Sequence, residues 1–374
     1  MKYCNTCILP SSRPNIYFDE NGSCCASKSE KKIQINWEQR EATLQKLAAE
    51  IKAMNAPYDC VIPVSGGKDS TWQVIKVMEL GLKPLCVTWK TTSRTELGAK
   101  NLSNLISLGV DHIDFTINPI VERKLSKISF YKTGIPALPM HLALFAIPTR
   151  VAINFKIPII IWGENGAFEF GGTEEDGASQ FLTRDWLLRY GVSSGTFADD
   201  WISDELSASD LQPYLFPSDD ELHDSGTRAI FLGQFLKWDP RLTFKIAKEH
   251  GFTAAPKPLL GSYEFADIDE AFIMPVHHWI KWHKFGFTRT WDNLSIDIRL
   301  NKITRDQAIN KIKEIGFEEP TEAIKQYCEY LGITLDDFHE VCNSFRDSNI
   351  WSKNNEGFYC IKDFLIEDWV WNEA

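Results

Sequence analysis

A chain of 374 residues, 44% hydrophobic and 12% aromatic, has material for a large core and for more than one domain. Its net charge of −11 argues against a general nucleic-acid binder, which needs a basic surface, but leaves room for a small basic pocket around one anionic ligand. The N-terminus "MKYCNTCILPSS" has no apolar leader and no segment approaches the roughly 20 apolar residues of a membrane span. The expectation is a soluble, cytoplasmic protein with no membrane insertion. Its nine cysteines, an odd number, argue against a disulfide scaffold.

Residues 1–35 are turn-rich and carry cysteines. Residues 36–56 have helical spacing through Trp37, Leu44, Leu47 and Ile51, with Asn36 as N-cap and Pro57 as stop. Strands and helices then alternate: a strand over 59–64, a helix over 69–81, a strand over 84–89, a helix over 95–109 and a strand over 111–117. A helical region with several prolines covers about 119–155, and "IPIIIWG" (157–163) reads as a fourth strand. Short strands apolar on both faces, separated by helices, predict an α/β fold: a doubly wound, mostly parallel sheet. Residues 199–224 hold nine acidic residues and no Lys or Arg, and read as a solvated acidic segment rather than a docking face. Beyond residue 300 the chain reads as helical, with capping boxes at Thr304 and Thr334. The expected division is 1–35 as a cysteine segment, 36–200 as a nucleotide-binding domain, and 201–374 as a mainly helical region for substrate or partner.

The stretch Ser65-Gly66-Gly67-Lys68-Asp69-Ser70 lies where the first strand meets the first helix. Glycines there let backbone N–H groups and a helix N-terminus close on an anion, Lys68 adds charge, and Ser65 and Ser70 add hydroxyls. Asp69 beside an anion makes sense as a handle for Mg²⁺ bridging phosphate oxygens. The spacing does not fit Gly-x4-Gly-Lys-Ser/Thr. Instead, Ser-Gly-Gly-x-Asp-Ser after a first strand resembles the PP-loop of the N-type ATP pyrophosphatases. That resemblance implies a grip on the β,γ-pyrophosphate of ATP while a substrate oxygen attacks the α-phosphate. It also implies that Thr88, ending the second strand, lines the adenosine side.

Cys4-x-x-Cys7 has the reach to hold two positions on Zn²⁺. A repeated pair would need cysteine at 27, where the chain has Ser27. Cys24 and Cys25 could complete the set, three cysteines with another ligand could do so, or the segment could be metal-free. A structural zinc on Cys4, Cys7, Cys24 and Cys25 is the working expectation.

"MKYCNTCILPSSRPNIYFDENGSC", "INWEQR", "WGENGAFEFGG" (162–172), "HHWIKWHKFGFTR" (277–289) and "LSIDIRLNKITRDQAI" (294–309) together resemble the bacterial N-acetyl sugar amidotransferases of lipopolysaccharide O-antigen and flagellin sugar pathways. The resemblance runs over essentially the whole chain. It implies ATP-dependent conversion of a sugar N-acetyl group into an acetamidino group, on a nucleotide-linked sugar, with ammonia from separate glutaminase and ammonia-channel subunits. The chain itself has no glutaminase nucleophile motif. Ser27 departs from the family, whose members commonly carry a cysteine there.

Gly163, Glu164 and Asn165 follow the fourth strand. Gly163 is expected at the nucleotide, Glu164 beside Asp69 on Mg²⁺, and Asn165 at the acetamido group or as a turn cap. His278, Lys281, Lys284 and Arg289 are expected to contact substrate, and His277 to take a proton from ammonia; Trp279 and Trp282 read as core. Lys237, Arg241 and Lys245 either meet pyrophosphate or decorate a helix. A PP-loop tRNA-modifying enzyme and a non-catalytic scaffold are the rival readings. The acidic charge opposes the first and the intact loop opposes the second.

Overall fold

The computed structural model describes residues 1–27, 35–179, 181–317 and 319–372. Five strands form one sheet: β1 (Cys60–Pro63), β2 (Pro84–Trp89), β3 (Asp111–Phe115), β4 (Ile159–Trp162) and β5 (Arg228–Phe231). β1, β2 and β4 are buried at every position, which requires cover on both faces. The cover comes from α1 (Trp37–Ala53), α2 (Lys68–Glu79), α3 (Glu96–Ile106), α4 (Pro119–Thr133) and α5 (Leu138–Asn154). Successive strand residues face opposite ways. Val61, Val87 and Ile160 pack against Leu125 of α4 and Leu142 and Ile147 of α5. Cys60, Ile62 and Ile161 pack against Leu44 of α1, Trp72 and Val77 of α2, and Leu105 of α3. Each fully buried Ile or Val contributes about 1.5–3 kcal/mol.

The strand order is β3-β2-β1-β4-β5, all parallel. Chain direction across the sheet reverses at β1, so the carboxyl ends of β1 and β4 flank the crevice where such sheets take ligands. This is the doubly wound α/β fold expected from the sequence. The fifth strand, Arg228–Phe231, lies beyond the expected boundary at 200, so the sheet domain runs through the acidic segment. That segment is capped turns and a short helix: Asp210 accepts from the Ser207 N–H at 2.9 Å, and Glu221 from the Ser218 N–H at 2.8 Å.

Between β4 and β5 come α6 (Gly166–Phe170), α7 (Glu174–Ala178), α8 (Arg184–Tyr190) and α9 (Asp219–Ser225). After β5, α10 (Pro240–Glu249) packs on α2. The remaining helices are α11 (Ile273–Phe285), α12 (Arg289–Arg299), α13 (Arg305–Ile315), α14 (Thr321–Leu331) and α15 (Leu335–Ser344). A hairpin of β6 (Trp351–Lys353) and β7 (Tyr359–Ile361) follows. Both expected capping boxes form, at Thr304 with Gln307 and at Thr334 with Asp337. Trp279 and Trp282 are buried, Trp282 stacking on Phe317 at 4.8 Å. The N-terminal segment is docked on this region, with Ile8 packed among Phe287, Trp291, Leu294 and Ile312. Among the described residues no helix is long and apolar enough to cross a membrane.

Candidate functional site

The Ser65–Ser70 loop leaves β1 and turns directly into α2. Gly66 has φ +87°, and a Cβ there would come within 2.6 Å of the Leu102 backbone nitrogen, so only glycine fits between the loop and α3. Gly67 is the N-cap of α2 and provides no side-chain cap, which leaves the first N–H groups of the helix facing the crevice. Ser70 and Thr71 hydroxyls both donate to the Gly67 carbonyl at 3.0 Å and fix the first turn.

Lys68 is buried, with its ammonium over the rings of Trp238 (5.6 Å) and Phe265 (5.2 Å), and is paired with the Asp69 carboxylate. Asp69 also accepts from the Trp238 indole at 3.0 Å and the Thr243 hydroxyl at 2.9 Å. The run Lys237–Lys245 thus matters for residues the sequence reading passed over. Trp238 and Thr243 position the loop, while Lys237 and Lys245 are exposed and Arg241 pairs with Asp297 at 2.9 Å.

At the end of β4, Glu164 is half-buried. Burial first, then the like charge of Asp69, raise its carboxyl above the ordinary value, against Lys68 and Arg289. Asp69 in the first turn of α2 and Glu164 just after β4 are two hard oxygen donors at neighbouring strand ends, a pair that suits a divalent cation. Gly163 accepts at its carbonyl from Gly233 N–H at 2.9 Å and ties β4 to β5. Asn165 is buried and caps α6, accepting from Ala167 N–H at 2.9 Å and donating to the Asp176 and Ser179 carbonyls at 3.0 and 3.1 Å. The cap, not an open amide, is what the structure shows there. Thr88 is likewise engaged, donating to the Val64 carbonyl at 2.6 Å and meeting His112 Nε2 at 2.8 Å.

A strap over residues 263–272 crosses the loop. Thr95 N–H donates to the Asp269 carbonyl at 3.0 Å and Ala271 N–H to the Ser93 carbonyl at 2.8 Å. The Asp269 carboxyl, which takes a hydrogen bond from Ser65, is pushed up to about 6, chiefly by burial. Glu270, bonded by the Ser93 hydroxyl, is pushed up to about 8 by burial and then by Asp269, with Ser93 and Thr91 opposing. Burial alone lifts Glu122 to about 7. A raised carboxyl means the fold favours the protonated form. The stability Glu270 contributes is therefore present below the ordinary value of 4.5 and is lost as pH rises through about 8. In urea unfolding, the advantage of Glu270→Gln over wild type is expected to grow by on the order of 2–3 kcal/mol between pH 6 and pH 9. Equal pH profiles for the two proteins would remove this account of Glu270.

Helix α11 brings two histidines beside a third from α5. His277 and His278 rings lie 5.4 Å apart and His141 of α5 is 6.0 Å from His277. His277 Nδ1 and both ring nitrogens of His278 are buried without a hydrogen-bond partner, and His278 Nε2 stands 3.9 Å from Asp267. Burial, followed by neighbouring cations and histidines, holds both imidazoles well below the ordinary value, so they are neutral acceptors. Lys281 bonds Asp292 at 2.5 Å and Arg289 bonds Asp267 at 3.1 Å. Lys284, expected at an anion, instead donates to the Thr133 carbonyl at 2.6 Å, at the C-terminus of α4.

At the N-terminus the sulfurs of Cys4, Cys7 and Cys24 lie within 4.8 Å of one another, all fully buried. Cys4 Sγ accepts from the N–H groups of Thr6 (3.4 Å), Cys7 (3.3 Å) and Cys24 (3.2 Å), a cage suited to a thiolate. Cys7 and Cys24 sulfurs are 3.5 Å apart, close to the roughly 3.8 Å edge of a tetrahedron with Zn–S near 2.3 Å. The residues therefore fit zinc. Cys25 does not join them: adjacent side chains on a helical turn diverge, and its sulfur faces the Asn15 carbonyl at 3.9 Å.

The part of the chain that delivers the histidine pocket has a family match of its own. Residues 260–365 match the family described as LPS biosynthesis protein WbpG-like, C-terminal domain. No curated protein matches the chain in sequence. Among solved structures, an NMN synthetase from Francisella tularensis is similar at 13% identity and TM-score 0.35, over 72% of this chain and 94% of that one. An NAD+ synthetase from Burkholderia pseudomallei is similar at 12% identity and TM-score 0.26, over 60% and 91%. Likenesses this low carry no chemistry.

Proposed function

We propose that the chain is an ATP-dependent amidotransferase that turns the N-acetyl group of a nucleotide-linked sugar into an acetamidino group, in lipopolysaccharide O-antigen or related surface-sugar synthesis. One observation carries the reading. The Ser-Gly-Gly-Lys-Asp-Ser loop stands at the switch point, and residues 260–365, which match a family of lipopolysaccharide biosynthesis proteins, bring Arg289 into electrostatic reach of Glu164 beside it.

The α2 N-terminus and Lys68 hold the pyrophosphate portion of ATP. An arriving phosphate draws Lys68 from Asp69. Asp69 and Glu164 would then hold Mg²⁺, which when bound would offset phosphate charge. The acetamido oxygen forms a bond to the α-phosphorus and pyrophosphate leaves. Ammonia then adds to the activated carbon, AMP leaves, and the surplus proton passes to the neutral imidazole of His277, whose Nδ1 has no hydrogen-bond partner. Ammonia comes from a separate glutaminase partner.

Turnover of ATP to AMP, with ammonium and a panel of nucleotide-linked acetamido sugars, tests the reading. The expected result is AMP formation that depends on both ammonium and one sugar, with a product in which NH replaces the acetamido oxygen. AMP formation that requires tRNA and ignores every sugar would sink it.

A further inference from the structure

We infer that the fourth ligand of the N-terminal metal is the Ser27 hydroxyl, making a three-sulfur, one-oxygen site with Cys4, Cys7 and Cys24. Ser27 is 3% exposed, and its Oγ lies 3.3 Å from Cys24 Sγ and 3.7 Å from Cys4 Sγ. Those separations match the edges of a tetrahedron that takes an oxygen at one corner and sulfur at the others. The placement follows from the backbone. Residues 25–27 are helical, so Ser27 falls three residues after Cys24 on the same face, whereas Cys25 falls on another.

Charge supports the same ligand set. Three thiolates around Zn²⁺ give a net charge of about −1 if the hydroxyl binds through an oxygen lone pair and keeps its proton. Arg305 Nε reaches the Cys7 and Cys4 carbonyls at 2.9 and 3.3 Å, and an Arg299 amine reaches the Ala26 carbonyl at 3.3 Å. Two guanidinium groups thus back the lobe. Binding releases the three thiol protons, and no oxidation or reduction is involved.

The test needs no catalytic readout. The full chain is expected to hold one zinc in native mass spectrometry. With Co²⁺ in place of zinc, Ser27→Cys should raise the thiolate-to-metal charge-transfer band by about one third, as three thiolates become four. Ser27→Ala should weaken retention against a chelator at least about tenfold. Cys25→Ser should change neither band nor retention, and shows that a change is specific to position 27. A metal-free wild-type chain, a band that falls in Cys25→Ser, or Ser27→Ala retention equal to wild type would each overturn the assignment.

Discussion

Lys68→Ala is expected to lower AMP formation by about 10²–10³-fold, the usual loss when one preorganised charge at a reacting oxyanion is removed. The size of the effect follows from confinement. Lys68 lies buried between the Trp238 and Phe265 rings, with the Asp69 carboxylate as its partner. Within Ser65–Ser70 Lys68 is the one cation, and at 5% exposed it leaves water little access to substitute for it. Lys68→Arg should not restore the rate, because the planar guanidinium cannot occupy a slot shaped for a compact ammonium. ATP–pyrophosphate exchange with the cognate sugar is the measurement; a Lys68→Ala protein within threefold of wild type would refute the assigned role. Thermal unfolding checks that the fold survives, since removing a buried lysine also leaves Asp69 with only Trp238 and Thr243.

Asp292→Ala is expected to destabilise the protein by about 3–5 kcal/mol, the cost of leaving a buried charge without its partner. Asp292 is 3% exposed and accepts from Arg13 Nε at 3.1 Å and Lys281 Nζ at 2.5 Å. Burial alone would raise its carboxyl, but Lys281, Arg13 and Arg289 hold it well below the carboxylate range. Its contribution is thus present above the ordinary value near 3.8 and is lost only in strong acid. Adding Lys281→Met to Asp292→Ala should recover part of the loss, because one orphaned cation disappears. Urea unfolding at neutral pH decides it: a loss under about 1 kcal/mol would show that these charges are not coupled as drawn. The same contact ties the N-terminal lobe to α12, since Arg13 pairs with Asp292 at 3.1 Å.

The sheet was legible because doubly buried strands leave a plain mark: "CVIP", "PLCVTW" and "IIIW" have no polar face. β5 was missed because "RAIF" is four residues long, opens with an exposed arginine and follows an acidic helix. The loop was legible because six residues in fixed order at a strand–helix junction carry their own chemistry. Trp238, Thr243, Asp267 and Asp292 were not, because each is a single residue whose meaning comes only from what tertiary packing brings to it. Lys284 shows the opposite case, a polar residue near the site whose ammonium is committed to the end of a helix, and Asn165 takes the turn-cap place that was one of its two expected roles. Ser27 breaks the expected cysteine spacing, yet its Oγ lies 3.3 Å from Cys24 Sγ and 3.7 Å from Cys4 Sγ.

The strand order has a consequence for assembly in time. Val61 pairs with Ile160 roughly one hundred residues later in the chain, so the two walls of the crevice meet only after a long loop closes. β1, β2 and β3 form from near neighbours, and their docking onto β4 and β5 is the slow, high-contact-order step. A ribosome-bound chain that ends before Trp162 holds the loop sequence but not the crevice. Nucleotide affinity therefore reports completion of the sheet rather than emergence of the motif.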